Sequence, residues 1–158
     1  MSFKTAFFTG HRNINLSHQN AINQMIDYAL SQDFNHFLSG MAIGTDTLAA
    51  QLLMGRNLPW TAIIPFKGQE KRWPIQQQRD YQRLLQSAHR IIVIEKAFSH
   101  RAYFRRNDYM IDHSQLCLAV FDGRDGGTDH AVRGAMTKRM EVLIYNPKSQ
   151  RFQKLKPA

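Results

Sequence analysis

Short, unbroken apolar runs alternate along this chain with segments of helical period, and that alternation constrains its fold more than any other feature. Candidate strands cover residues 5–8, 35–38, 60–64, 90–94, 116–121 and 141–145. Most are continuously apolar, the pattern of strands covered on both faces of a parallel sheet. Between them the period becomes helical. Ile22, Met25, Ile26, Ala29 and Leu30 form one stripe, with Ser17 as the expected cap. Leu48, Ala49, Leu52 and Leu53 form a second, and Tyr81, Leu84, Leu85 and Ala88 a third. Residues 101–114 read as a helix with Phe104, Met110 and Ile111 inward, and Ala131, Val132, Ala135 and Met136 mark the last one. Repeated strand–helix units predict an α/β fold, a Rossmann-like three-layer domain with a mainly parallel sheet. The expected division is one such domain over residues 1–147 and a loosely held basic C-terminal tail over 148–158. Phe152 and Leu155 give that tail a means of docking.

Two of the strand-to-helix junctions are glycine-rich. Ser39-Gly40-Met41-Ala42-Ile43-Gly44-Thr45-Asp46 follows Phe37-Leu38, and Asp122-Gly123-Arg124-Asp125-Gly126-Gly127-Thr128-Asp129 follows the run ending at Phe121. Such turns let backbone N–H groups approach an anion, and the helix start adds its positive dipole end. In parallel sheets ligands sit beyond the carboxyl ends of the strands. Thr9-Gly10-His11-Arg12 and the segment from Pro65-Phe66 to Lys71 lie at two more such ends. The four ends are expected to open on one side, with Gly10, Gly44, Pro65 and Gly127 lining one cleft.

The candidate ligand-binding residues are Gly10, His11, Arg12, Ser39, Gly40, Gly44, Thr45, Asp46, Pro65, Phe66, Arg106, Asn107, Asp122, Gly126, Gly127 and Thr128. The glycines permit close approach or left-handed backbone, although tight turns alone also require glycine. Thr45 and Thr128 suit a phosphate or a helix cap equally. Asp46 and Asp129 follow them as dipole partners, as contacts to ribose hydroxyls, or as candidate catalytic acid–base groups. Asn107 falls on the inward side of its helix, where a polar group needs a partner.

Other chemistries lack their signatures. Neither loop matches G-x-G-x-x-G or the Walker pattern, and no cofactor is implied. Seven histidines without H-x-x-x-H or H-E-x-x-H spacing and a single cysteine support no metal site. Ser39 lacks the G-x-S-x-G setting of a hydrolase nucleophile. Cys117, inside an apolar run, reads as an inert core thiol. With no internal disulfide and no signal-peptide pattern at the start, the expected compartment is the cytoplasm. No run of 18 apolar residues is present, which excludes a transmembrane helix and predicts no membrane partner. The net charge of +9 is uneven: only Lys4 and Arg12 are basic up to Gly55, and nineteen basic residues follow. That field attracts phosphates and polyanions alike. A nucleotide-like small molecule is the expected partner, nucleic acid is second, and a homo-oligomer is left open.

The Ser39–Ala50 stretch resembles the "SG…A.G.D..A" signature of the SLOG superfamily, which groups the DNA-processing protein DprA (Smf) with the LOG proteins. Further segments resemble its YpsA-like branch. Pro65-Phe66, Gln69-Glu70-Lys71 and Trp73 fit "PF..QEK.W", and Phe104, Arg106-Asn107, Met110-Ile111-Asp112 and Ser114 fit "F..RN..MID.S". Phe121-Asp122 and Gly126-Gly127-Thr128 fit "FD…GGT", and Thr9-Gly10-His11-Arg12 fits the opening "TG.R/K". The resemblance implies a Rossmann-like fold and a nucleotide-derived, ADP-ribose-like ligand at the glycine loops. The LOG proteins are phosphoribohydrolases carrying "PGG.GT..E". Here the paired glycines are absent and Ala131 stands at the glutamate position. Asp46 stands where YpsA-like proteins often have glutamate, so the carboxylate is kept. The leading expectation is therefore binding or sensing of a nucleotide-derived ligand. Hydrolysis of an N-glycosidic bond is the alternative, and DprA-like nucleic-acid binding the second alternative.

Overall fold

The computed structural model describes residues 3–157. The expected alternation is present from end to end. In order come β1 (Thr5–Gly10), α1 (Leu16–Ser31), β2 (His36–Ser39), α2 (Thr45–Gly55), β3 (Trp60–Phe66) and α3 (Ile75–Ser87). Then follow β4 (Arg90–Glu95), α4 (His100–Asp112), β5 (Leu116–Val120), α5 (Gly127–Thr137), β6 (Glu141–Asn146) and β7 (Arg151–Leu155).

The strands form one sheet in the order β4-β3-β2-β1-β5-β6-β7. All neighbours are parallel except β6 and β7. The two-residue period of the strands divides the core into two layers. Phe8, Phe37, Trp60, Ile64 and Leu118 pack with Ile22, Met25 and Ile26 of α1, Leu53 of α2 and Leu84 of α3. Phe7, Leu38, Ile63, Cys117, Ala119 and Ile144 point the other way, onto Met110 and Ile111 of α4 and Ala131, Val132 and Ala135 of α5. The result is the expected three-layer α/β domain.

Several local readings change. Asn15, not Ser17, caps α1: its side chain accepts from Ser17 N at 2.9 Å, while His18 Nδ1 accepts from Asn15 N at 2.7 Å. An amide at the N-cap serves as well as a hydroxyl. Strand β4 is a sheet edge, not a doubly covered strand, and leaves Ile91 and Val93 about half exposed. Residues 151–155, expected in a loosely held tail, form β7 along β6, with Phe152 against Tyr145 and Leu155 on the second core layer. Its alternation is masked by Arg151 and Lys154, charges of the kind that protect an edge strand from further pairing.

From β1 the chain winds out through β2 and β3 to β4, then crosses back to lay β5 on the other side of β1. The loops leaving β1 and β5 therefore diverge, toward α1 on one face and α5 on the other. This is the topological switch point, where open α/β sheets form their ligand crevice.

Candidate functional site

A cleft of about 540 Å³ opens at that switch point. Residues 9–13 after β1 form one wall and residues 124–128 after β5 the other. Tyr103, Phe104, Arg106 and Asn107 of α4 close it on one side, and Ala42 with Asp46 at its inner end.

The two glycine turns contribute differently. The Ser39 turn is filled by the protein itself. Thr45 donates to His11 O through both N (3.2 Å) and Oγ1 (2.9 Å), and Thr47 N donates to Ala42 O at 3.3 Å. Ser39 Oγ donates to Asp46 O at 2.9 Å and accepts from Met41 N at 3.2 Å. Gly44 has φ +103°, and a Cβ there would lie 2.5 Å from Arg12 Cα, so the β1 loop rests directly on this glycine. Gly40 is pressed against Arg106, whose Nη1 a Cβ would meet at 2.6 Å. The donors starting α2 are thus turned toward the chain, not the cleft.

At the Asp122 turn the opposite holds. Gly126 has φ +142° and precedes α5 without any side-chain cap. A Cβ on Gly123, Gly126 or Gly127 would meet nothing within 4 Å. The first N–H groups of a helix have no intrahelical acceptor, so α5 presents free donors and its positive dipole end to the cleft. Arg12 and Arg124 line the same space.

A buried polar bridge from α4 joins the turns. Arg106 Nη1 donates to Gly40 O at 2.7 Å and its Nε to Asn107 Oδ1 at 2.8 Å. Asn107 Nδ2 donates to Gly127 O at 3.3 Å. Gln69 Nε2 adds a bond to Gly40 O at 3.2 Å. Asp46 lies beside this bridge, buried, with Oδ2 accepting from Ala42 N at 3.2 Å. Burial pushes its carboxyl up to about 6, against the opposing pull of Arg106 and the Ala42 N–H. Burial likewise pulls the Arg106 guanidinium below its ordinary value, against the attraction of Asp46. A carboxyl that changes charge near neutrality at a cleft wall suits acid–base chemistry or a ligand hydroxyl.

His11 and Asp122 tie the β1 and β5 loops together. Asp122 N donates to His11 Nε2 at 3.0 Å, which requires a neutral ring at that nitrogen. Desolvation lowers the His11 pKa, outweighing the Asp122 carboxylate 3.0 Å away, so the neutral tautomer fits both observations. Burial pushes Asp122 upward, but the Arg124 N–H and the charges of Arg124 and Lys148 outweigh it and hold it below the usual carboxylate range.

Of the expected site residues, the cleft brings together Gly10, His11, Arg12, Asp46, Arg106, Asn107, Gly126, Gly127 and Thr128. Ser39, Gly40, Thr45 and Asp122 stand behind its walls as braces. Gly44 borders a second cavity instead. Pro65 and Phe66 do not line the cleft, so the expected single row of Gly10, Gly44, Pro65 and Gly127 is not formed. Strand β3 lies two strands from β1, away from the switch point, and Phe66 reaches the site only by packing edge-on against Tyr103. Asp129 also falls outside the cleft lining and pairs with Arg133 Nε at 3.0 Å on the helix surface. Ala131, at the LOG glutamate position, is buried in the core.

Sequence reading missed Tyr103 and Phe104 as cleft residues. Phe104, expected inward, is 44% exposed and packs on His130. The signal was present: Tyr103 and Phe104 precede Arg106 and Asn107 by one helical turn, on the same face. Thr9, Asn13, Ala42, Arg124 and Asp125 were also outside the expected set. Among the described residues no group of three His, Cys, Asp or Glu side chains is placed to hold a metal ion, and no helix is long and apolar enough to cross a membrane.

The model of the YspA SLOG family (YpsA) matches residues 6–155. An uncharacterized SPbeta prophage-derived protein, YoqJ of Bacillus subtilis (strain 168), is 35% identical over 116 residues, covering 63% of this chain and 68% of that protein. In structure the chain is similar to DNA processing protein A (DprA) of Streptococcus pneumoniae, with a TM-score of 0.71 at 16% identity, over 90% of this chain and 50% of that one. It is also similar to DNA processing protein A of Helicobacter pylori, a structure described for its single-stranded DNA binding mode, with a TM-score of 0.68 at 15% identity. That match covers 89% of this chain and 64% of the other, so the chain spans only part of both DNA processing proteins. At these identities the likeness is one of fold.

Proposed function

This chain belongs to the YspA SLOG family, and from that premise we propose that its cleft binds a nucleotide-derived phosphate ligand of the ADP-ribose class, as a binding or sensing domain. One observation carries the reading: the uncapped start of α5, with open space at Gly126 and Gly127 and Arg124 beside it on the same loop, faces Arg12 across the cleft. Free backbone donors, a helix dipole and two guanidinium groups complement a phosphate group. Asp46 at the inner wall suits ribose hydroxyls, because a carboxylate accepts hydrogen bonds and repels phosphate.

A second reading rests on Asp46 alone. A buried carboxyl held up to about 6 can protonate a departing base or, once ionised, take a proton from water, as cleavage of an N-glycosidic bond requires. The partners expected from sequence do not supply a second carboxylate, since Ala131 is buried and Asp129 is paired with Arg133 outside the cleft, which leaves Asp125 on the β5-loop wall as the one other cleft carboxylate. A single-stranded nucleic acid is the remaining alternative, favoured by Tyr103 and Phe104 on the cleft wall. Its binding would fall steeply with salt, unlike that of a pocketed small ligand.

The test measures ADP-ribose affinity and release of free base for the wild type and Asp46→Asn. Binding without base release is expected, and the variant should lose about 1–3 kcal/mol of affinity. Base release by the wild type that disappears in Asp46→Asn, with affinity retained, would make the protein an N-glycosidase instead.

A further inference from the structure

A second cavity, of about 470 Å³, abuts the cleft and shares Arg12 and Asn13 with it. Its chemistry differs. Ile14, Ile43 and Leu48 give it apolar walls, and the Trp73 indole stands at its edge, fixed edge-on against Tyr81 at 5.3 Å. Tyr81 is held in turn by Gln69 Nε2, which donates to its hydroxyl at 3.2 Å. Gln51, Gln77 and Asp80 supply amide and carboxylate groups. Arg12, on the shared side, is the cavity's one cationic lining residue. Apolar walls, a rigid indole and amide edges suit a planar, uncharged heterocycle, which stacks by its faces and hydrogen-bonds by its rim. They do not suit a second phosphate, which Asp80 would repel.

The cleft has the complementary layout. Its cationic groups with donors open to a ligand, Arg12, Arg124 and the start of α5, stand on the two loops; Arg106 on α4 is committed to Gly40 O and Asn107, and the aromatic pair Tyr103 and Phe104 stands on that helix. We propose that the two cavities together take a dinucleoside diphosphate, one nucleobase against Tyr103 and Phe104 and the other beside Trp73, with the bridging phosphates at Arg12. The inference rests on the phosphate-binding reading of the cleft and extends it to the ligand's second half. It also gives the exposed Arg12 a role, since its guanidinium makes no ion pair among the described residues, while its backbone is pinned by Gly44.

ADP-ribose and diadenosine diphosphate share the diphosphate and differ by the second base, so their comparison isolates the second cavity. Calorimetry on the wild type should give diadenosine diphosphate an affinity about tenfold or more above that of ADP-ribose, the worth of one stacked base. Trp73→Ala should erase that gain and leave ADP-ribose binding intact. Trp73 also packs on the core, so Gln77→Phe, which plugs the same cavity from an exposed helix position, provides an independent arm with the same expected result. Equal affinities in the wild type, or a gain that survives in both variants, would overturn the two-cavity inference while leaving the proposed function standing. A wild type that binds neither compound would remove both.

Discussion

The two glycine-rich turns start from one plan and end in different physical states. Each leads from a buried parallel strand into a helix and places a Thr-Asp pair in the first helical turn, Thr45-Asp46 and Thr128-Asp129. In the first turn the glycines exist so that the chain can touch itself: Gly44 admits the backbone of Arg12, Gly40 admits Arg106, and Thr45 spends its donors on His11 O. In the second, a Cβ on any of the glycines would meet only open space, and the start of a helix is bared. The difference follows from the sheet. β1 lies between β2 and β5, but α1 and α2 share a face and crowd the loop between them, whereas α5 leaves toward the opposite face. A glycine in a βα turn therefore signals close approach of some group, and topology decides whether that group is the protein or a ligand.

Replacing one glycine in each turn tests this most directly. Gly44→Val places a β-branched side chain at positive φ and against the Arg12 backbone, so it should cost about 4 kcal/mol or prevent folding. Urea denaturation reads that loss. A variant within ~1 kcal/mol of wild type would show that the first turn is no more tightly closed than the second.

Gly127→Val should reverse the outcome. The added side chain meets open space, so stability should stay within about 1 kcal/mol of wild type. ADP-ribose affinity should fall by ~3 kcal/mol, because the side chain screens the α5 donors from a charged ligand. Unchanged affinity in the folded variant would reduce the second turn to the same structural role as the first.

Most of the fold was legible because apolar runs and helical stripes encode burial directly. What escaped is instructive. In β7, Arg151 and Lys154 hide a strand whose apolar contacts come only from Phe152 and Leu155. Exposure at β4 depends on its place at the sheet edge, which only the pairing order reveals. In the candidate site, the residues after β1 and β5 and the Arg106-Asn107 pair were legible from polar groups at strand ends and on an inward helix face. Pro65 and Phe66 were misplaced because a shared sheet edge does not make a shared cleft: the crevice forms where winding reverses, and β3 is two strands away. The contrast between Gly44 and Gly127 was not legible at all, since both satisfy the same local turn geometry and differ only in what lies opposite.

The two aspartates give the finest comparison, because sequence offers both as candidate acid–base groups. Asp46 is buried and its carboxyl is raised from 3.8 to about 6 in the folded protein. Between those values the folded state holds a proton that the unfolded chain has released, so stability is greatest below the lower value and declines as pH rises through about 6. The decline should reach roughly 2–3 kcal/mol in the wild type. In Asp46→Asn that component should vanish and the pH profile flatten, whatever offset arises from leaving Arg106 without its carboxylate neighbour. Asp129 has an exposed partner in Arg133, 3.0 Å away and one helical turn on. Such a pair contributes about 0.5 kcal/mol or less, so Asp129→Asn should keep the wild-type slope and the wild-type ligand affinity. Denaturation curves across this pH range, run on both variants, separate the two positions. If Asp129→Asn flattened the profile and Asp46→Asn did not, the titrating group at the cleft would belong to the second turn, and the assignment of Asp46 to the cleft's chemistry would fail.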